Sequence, residues 1–460
     1  MLHTVTMFTI DRIARRRFHA LCLAAVSALL AGPAHAQDPL DSIARLAITR
    51  NLTVRQGREA ESQGQLAVRQ ARGLFLPTVG VDARYSELSG AVNIGDAVNP
   101  AYAALNQLLG RNVFPTNINQ TLPFKQETRL RTTVPLFNGA LHANLDAARA
   151  VATLRGAERA AAVRSLDATA RLAYLDHARA RRAVDVWDAT LLVLRENERV
   201  ASRMLAAGTI TGDVVFRARA ALADGEQHLA ESVRLRQASL GALNLLLDRE
   251  LDTAVPELID SLLPAQAPVT RDEALANARR REEFDQAEAG VAAARAQGRA
   301  AASAFLPSVA LAADVGVQGA NYAFNSKHDV AIASLVLSWN LFNGGQDARR
   351  REVAASAERA MTFRTAELQR AIALEVSTAH DAVAVAQQAL VAARARVDAA
   401  RRAFQMVDRR FVEGLAAHLE WSDARTQLTS AELNLVLARY TLAARVVDLE
   451  RAAALRRLPQ

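Results

Sequence analysis

The tetrapeptide Leu-Phe-Asn-Gly occurs twice in the chain, at 136–139 and again at 341–344. Each copy closes a run of alternating apolar and polar residues and opens a long Ala/Leu/Val-rich pattern of helical period. A second shared mark stands upstream of each: Phe75-Leu76-Pro77 and Phe305-Leu306-Pro307, where a helical pattern stops and alternation begins. Proline cannot continue a helix, because it lacks an N–H and clashes with the preceding turn. Each half therefore reads helix, strand, loop, strand, long helix, turn, helix. A duplication of this kind constrains the architecture more than any single motif. The copies lie 230 residues apart at Pro77 and Pro307, but 205 apart at Leu136 and Leu341 and 206 apart at Gly208 and Gly414. Strands and helices keep step, and the length difference falls in the first strand-to-strand loop, where an exposed connection tolerates it.

Residues 1–36 read as an export signal: a basic start with Arg12, Arg15, Arg16 and Arg17, an apolar run from Leu21 to Leu30, and the cleavage pattern Ala34-His35-Ala36. The single cysteine, Cys22, falls inside it without a lipoprotein-type box, so the mature chain carries no disulfide and no thiol ligand. The repeats then span 37–270 and 271–460. The formal charge is +8. Export and the scatter of arginines along helices argue against nucleic acid as a partner and for solvated helix faces. No later stretch approaches the ~18 uncharged apolar residues of a membrane-spanning helix, so any membrane span must be built from strands.

Four segments alternate. Val79, Val81, Ala83 and Tyr85 share one face, opposite Gly80, Asp82 and Arg84. Leu130, Thr132, Val134 and Leu136 oppose Arg129, Arg131 and Thr133. Val309, Leu311, Ala313, Val315 and Val317 oppose Ala310, Ala312, Asp314, Gly316 and Gln318. Leu335, Leu337, Trp339 and Leu341 line the fourth, in which Val330 and Ile332 stand out of phase. A half-buried soluble strand and a strand between lipid and water both give this spacing. The segment from Ser86 to Glu127, rich in Asn, Gly and Pro, reads as a long loop, and Gly319 to Lys327 as a shorter one.

The remainder is helical. Asp41 to Gly73 reads as one helix that Asp41 could cap, and Arg271 to Ala304 as its counterpart. Ala140 to Ala207 runs with Gly156 as its single interruption until Gly208 breaks it; a return helix follows from Asp213 to Leu247. In the second copy Ile372, Val376, Ala379, Val383, Ala386, Leu390, Ala393, Val397, Ala400, Phe404, Val407 and Phe411 step by four and three, the 3.5-residue period of a left-handed coiled coil. Gly414 ends it, and the return helix carries Leu428, Ala431, Leu435, Ala438, Leu442 and Leu449. Two antiparallel helical hairpins result.

One chain thus supplies four strands, whereas the smallest single-chain membrane barrels need about eight. An open edge in lipid leaves backbone groups unpaired at several kcal/mol each, so a barrel of these strands must be shared between chains. The doubled Phe-Leu-Pro, Leu-Phe-Asn-Gly and Gly-broken hairpin resemble the TolC family of outer-membrane efflux and secretion channels over nearly the whole mature chain. The resemblance implies a membrane α/β fold: a homotrimer with a twelve-stranded outer-membrane β-barrel continued by a periplasmic α-helical tunnel. It also implies a periplasmic adaptor, an inner-membrane transporter of the ABC, RND or MFS class, and a cargo of drugs, ions or an exported protein. Barrel-to-tunnel junctions then fall at Pro77, Gly139, Pro307 and Gly344, and adaptor-docking turns at Gly208, Thr209, Gly414 and Leu415. The family often carries two acids three residues apart at the tunnel end, and Glu420 and Asp423 match that spacing, with Asp213 as a first-copy counterpart. In a trimer they form rings of carboxylates at a constriction; the competing reading is acids at a helix start, favoured there by the dipole. No nucleophile elbow, phosphate loop or metal box is present, so neither an enzyme nor a cofactor is expected. The rival readings are a periplasmic adaptor, which would show one hairpin and a membrane anchor, and a passive porin, which would show many strands and little helix.

Overall fold

The computed structural model describes residues 39–87, 92–122, 125–264, 266–319 and 328–458. The export signal at 1–36, with Cys22 and Ala34-His35-Ala36, lies outside them, as does most of the short loop from Gly319 to Lys327. The chain forms two compact units. One is made of the described part of Met1–Leu52 with Ser165–Pro268 and Ala379–Arg451; the other of Thr53–Arg164, Val269–Thr378 and Ala452–Gln460. Each unit draws on both sequence copies.

The elements in chain order are α1 (Pro39–Arg50), α2 (Leu52–Gly73), β1 (Thr78–Tyr85), β2 (Val92–Asn93), α3 (Gly95–Leu109), β3 (Thr121–Leu122), β4 (Gln126–Phe137), α4 (Gly139–Ala206), α5 (Gly212–Leu246), a 3₁₀ turn (Asp260–Leu262), α6 (Arg271–Ala278), α7 (Glu282–Ser303), β5 (Ser308–Gly319), β6 (Asp329–Ser338), α8 (Gln346–Val412) and α9 (His418–Ala452). Among the described residues no helix is long and apolar enough to cross a membrane.

The second unit holds one antiparallel four-stranded sheet in the order β1-β4-β5-β6, so β1 and β6 are its edges. Its register keeps the apolar rows in line: Val81 pairs with Leu130, Leu130 with Val315 and Val315 with Ala331, while Val134, Leu311 and Leu335 form a second row. A one-residue slip would move a whole set to the other face. This apolar face is bare in the single chain: Val81 is 69% exposed and Leu335 68%. The opposite face is charged. Arg131 bridges the sheet, with Nη1 3.0 Å from Asp82 and Nε 3.1 Å from Asp314, and Arg84 and Arg129 both pair with Glu127.

Val330 and Ile332 are out of phase with Leu335 and Leu337: they pair regularly with Gly316 and Asp314, which puts two apolar side chains on the charged face. Two expectations for the strands are corrected. β6 ends at Ser338, so Trp339 and Leu341 lie beyond the strand. Leu136 falls at an irregularity where the β4–β5 register shifts between Pro135 and Phe137. The segment from Ser86 to Glu127 is also more than a loop: it contains α3 and the two-stranded β2–β3 ladder, and its last two residues begin β4. Asparagine amides supply the order. Asn99 exchanges two hydrogen bonds with the Ile118 backbone, Asn106 bonds the backbone of Val113 and Phe114, and Asn93 accepts from Gly95 and Gln120.

The two shorter helices expected as continuous are each broken, at Asn51 and at Arg279–Arg281. The first begins at Pro39, which places Asp41 inside its first turn rather than at its cap; there Asp41 pairs with the buried Arg171. The breaks are equivalent. Asn51 and Arg281 are both buried polar residues, and each donates to a carbonyl near the end of a return helix: Asn51 to Leu246 at 3.0 Å, Arg281 to Ala452 at 3.4 Å. Arg281 also meets Glu375 at 2.6 Å and Glu283. Burial weighs against its charge, but the two carboxylates outweigh burial and raise its pKa. Arg281→Ala removes the cation both carboxylates point at, and the expected loss is about 2–3 kcal/mol, below a fully buried pair because Glu375 and Glu283 keep some water. A matched Asn51→Ala, losing a neutral hydrogen bond, costs about 1 kcal/mol. Denaturation midpoints of the two variants check the order.

In the first unit Leu243, Leu247, Tyr174, Leu175, Leu258, Tyr440 and Val447 form the core with α1 residues Leu40 and Ile43. The 3₁₀ turn closes it. Asp260 accepts from Arg182 Nε at 3.2 Å, from Tyr440 Oη at 3.0 Å and from Arg439. Burial pushes Asp260 up, but the Tyr440 hydroxyl and the two arginines hold its carboxyl below the usual range. Burial and the Asp260 charge push the Tyr440 hydroxyl up to about 12.

Candidate functional site

The two hairpin turns are built alike. Gly208 and Gly414 have φ of 71° and 73°, a left-handed conformation in which a Cβ is strained. The next residue reaches back in each: Thr209 N bonds Met204 O at 3.0 Å, and Leu415 N bonds Arg410 O at 2.7 Å. These are matched αL helix ends that satisfy the last carbonyls. Side chains reinforce both, Thr209 Oγ1 on Met204 O at 2.9 Å and Arg410 Nη2 on Leu415 O at 3.1 Å.

Of the three acids named from sequence, Asp213 and Glu420 stand in the first turns of the return helices and Asp423 in the second turn of α9, and all are exposed. Asp213 takes a hydrogen bond from Thr211 and lies 3.7 Å from Arg217; the Thr211 bond leads in holding its carboxyl below its ordinary value. Glu420 lies 3.7 Å from Arg410. Asp423 has no hydrogen-bond or ion-pair partner among the described residues and is open to solvent. Arg410 thus links Glu420 to the turn.

Around these acids lies a cluster that the motif reading passed over. Trp421 is 4% exposed and donates Nε1–H to Asp408 Oδ1 at 2.8 Å. Its ring lies 5.8 Å from Phe404, 5.9 Å from Phe411 and 6.1 Å from His418. His418 in turn meets Asn197 of the first hairpin, Nε2 to Nδ2 at 3.2 Å. Burial and the nearby Arg217 lower the His418 pKa, against the pull of Asp213. The signal for this cluster was present: Trp421, Leu428, Leu435, Leu442 and Leu449 recur every seven residues, so one more heptad step toward the turn reaches Trp421. The cluster fixes the start of α9, and so the place of Glu420 and Asp423.

The junction residues lie in the second unit. Pro77 and Pro307 directly precede β1 and β5, and Gly139 opens α4. A Cβ on Gly139 would stand 2.8 Å from the Ser303 side chain, so only glycine lets α4 start this close to α7. Gly344 and Gly345, at φ of 72° and 81°, turn the chain into α8.

Residues 271–455 match the family model of the outer membrane efflux protein. The fold of the whole chain is similar to three solved channels. The outer membrane protein VceC from Vibrio cholerae is 20% identical, with a TM-score of 0.73 over 90% of this chain and 95% of that one. The open state of the MtrE outer membrane channel of Neisseria gonorrhoeae is 22% identical, with a TM-score of 0.72 over 90% and 89%. The CmeC outer membrane channel of Campylobacter jejuni is 15% identical, with a TM-score of 0.74 over 90% and 85%. The family likeness thus covers residues 271–455, within the second sequence copy. No curated protein sequence matches the chain. At these identities the solved channels speak to the fold alone.

Proposed function

We propose that the chain is one third of a channel that carries cargo across the outer membrane. Three four-stranded sheets join β1 to β6 of the next chain and close a twelve-stranded barrel, with the row of Val81, Leu130, Leu311 and Leu335 toward lipid and the ladder of Asp82, Arg131 and Asp314 toward the lumen. The observation that carries this reading is the single sheet with two open edges and one bare apolar face. In lipid, unpaired edge groups cost several kcal/mol each, and closure between chains removes them. The long hairpins of the three chains make the periplasmic tunnel. Gly208, Thr209, Gly414 and Leu415 present its end to a periplasmic adaptor, and an inner-membrane transporter of the ABC, RND or MFS class supplies drugs, ions or an exported protein. Glu420 and Asp423, with Asp213, line the constriction.

A passive porin does not fit a chain whose described residues are mostly helix, and an adaptor does not account for four strands with an apolar outer face. Protein purified in detergent and added to planar bilayers should insert and give unitary conductance steps. Failure to conduct under conditions where the protein is folded and membrane-inserted would refute the channel reading.

A further inference from the structure

A cavity of about 230 Å³ lies where α4, α5 and α9 meet, with Ser422, between Glu420 and Asp423 in the sequence, in its wall. Its wall contains Arg425, which is only 7% exposed. An arginine cannot shed its charge at any ordinary pH, so a buried one needs an anion or a full set of acceptors. Arg425 has neither. Nη2 donates to Thr190 Oγ1 at 2.8 Å, and the guanidinium carbon stands 5.5 Å from the centre of the Phe404 ring. Nε is buried without a hydrogen-bond partner, and no carboxylate lies within ion-pair distance among the described residues. Burial accordingly weighs against the charge, with Glu432 the influence that favours it.

The rest of the wall is hydroxyl-rich. Thr190 and Thr429 approach each other at 3.4 Å, and Ser422 joins them. The single carboxylate in the lining, Asp224, faces His228 at 3.7 Å rather than Arg425. The single protons of Thr190 and Thr429 go to the Val186 and Arg425 carbonyls, so the donors left to the cavity are the free Arg425 N–H and the hydroxyls of Ser422 and Ser430; a planar guanidinium beside such hydroxyls recognises a tetrahedral oxyanion. The volume is several times the ~30 Å³ that one water occupies in the liquid, so such an ion fits.

We infer that this cavity is a binding site for a small inorganic oxyanion of the phosphate or sulfate type, held by Arg425 and the hydroxyls of Ser422 and Ser430. The ion supplies the counter-charge that the fold omits. It holds the Arg425 guanidinium, which bonds Thr190 of α4, so occupancy stiffens the contact between α9 and the first hairpin. The site belongs to the folded chain and does not depend on the channel reading.

The test is isothermal titration calorimetry of the full-length, detergent-solubilised protein with sodium phosphate and, separately, sodium sulfate, at constant ionic strength made up with sodium chloride. The expected result is one saturable site per chain for at least one of the two ions. Arg425→Leu should weaken it at least tenfold, and Arg425→Lys should weaken it less because a point charge remains. Sulfate and phosphate stabilise many proteins without binding, so a rise in melting temperature common to wild type and Arg425→Leu does not count as occupancy. No saturable heat with either ion, or equal affinity in wild type and Arg425→Leu, overturns the proposal. If Arg425→Leu does not fold, the Ser422→Ala, Ser430→Ala double variant decides: it should weaken binding several-fold, and unchanged affinity overturns the proposal equally.

Discussion

Arginine placed at Val81, Leu130, Leu311 or Leu337 should abolish the assembled protein, while arginine at Ala310 or Ala312 should leave most of it. The first four stand on the apolar face of the sheet, where Val81 is 69% exposed, Leu337 64%, Leu130 47% and Leu311 42% in the single chain. Nothing among the described residues covers them, and in the proposed barrel they face hydrocarbon. A lipid-facing arginine near the midplane of a barrel costs about 2–4 kcal/mol, and in a homo-oligomer the cost falls on every chain. Ala310 and Ala312 lie on the opposite face, paired with Val336 and Ser334 beside Asp314, where water and carboxylates receive the new charge. Heat-resistant oligomer on a gel, compared across the six variants, reads the result. Equal loss on both faces would mean that the sheet does not have one face in lipid.

Converting Glu420 to Gln and Asp423 to Asn together should change what the channel passes while leaving its assembly intact. Both side chains are exposed and neither packs in the core; the start of α9 is held by Trp421, His418 and Asp408 instead. Asp423 has no partner among the described residues, and Glu420 has only Arg410 at 3.7 Å. Carboxylates left largely uncompensated at a constriction attract cations, and salt screens the attraction over about 10 Å at 0.1 M. Wild type in planar bilayers should therefore prefer cations, more strongly at low salt, and should be blocked by multivalent cations from the periplasmic side. The double variant should lose both the preference and the block. Unchanged selectivity and unchanged block would return these acids to the plainer role of favouring a helix start.

Much of this architecture was legible because it rests on local rules. Pro77 and the alternation after it set the bounds of β1 to the residue, and Gly208 and Gly414 marked both turns because a left-handed backbone admits glycine most readily. What stayed hidden depends on distant partners. The helix breaks at Asn51 and Arg281 carry no proline or glycine; they are held by hydrogen bonds to residues 195 and 171 positions away. α3 escaped notice because asparagines that usually mark loops here bond backbone up to 27 residues off. Val330 and Ile332 broke the pattern because β6 is apolar on both faces at that end, and only the register with β5 shows which face each takes. At the candidate gate the acids were found by motif spacing. His418, Asn197 and Arg425 were not, because their roles come from contacts between two hairpins that no local pattern encodes.

The central claim is that this chain cannot close its own barrel. Four strands with β1 and β6 as free edges need partners, and on the proposed reading three chains close the barrel. Multi-angle light scattering of the detergent-solubilised protein, corrected for bound detergent, measures this directly. The account predicts a protein mass of three chains, each 49.6 kDa less the export signal when that is removed. A monodisperse single-chain mass in a preparation that still conducts ions would contradict it.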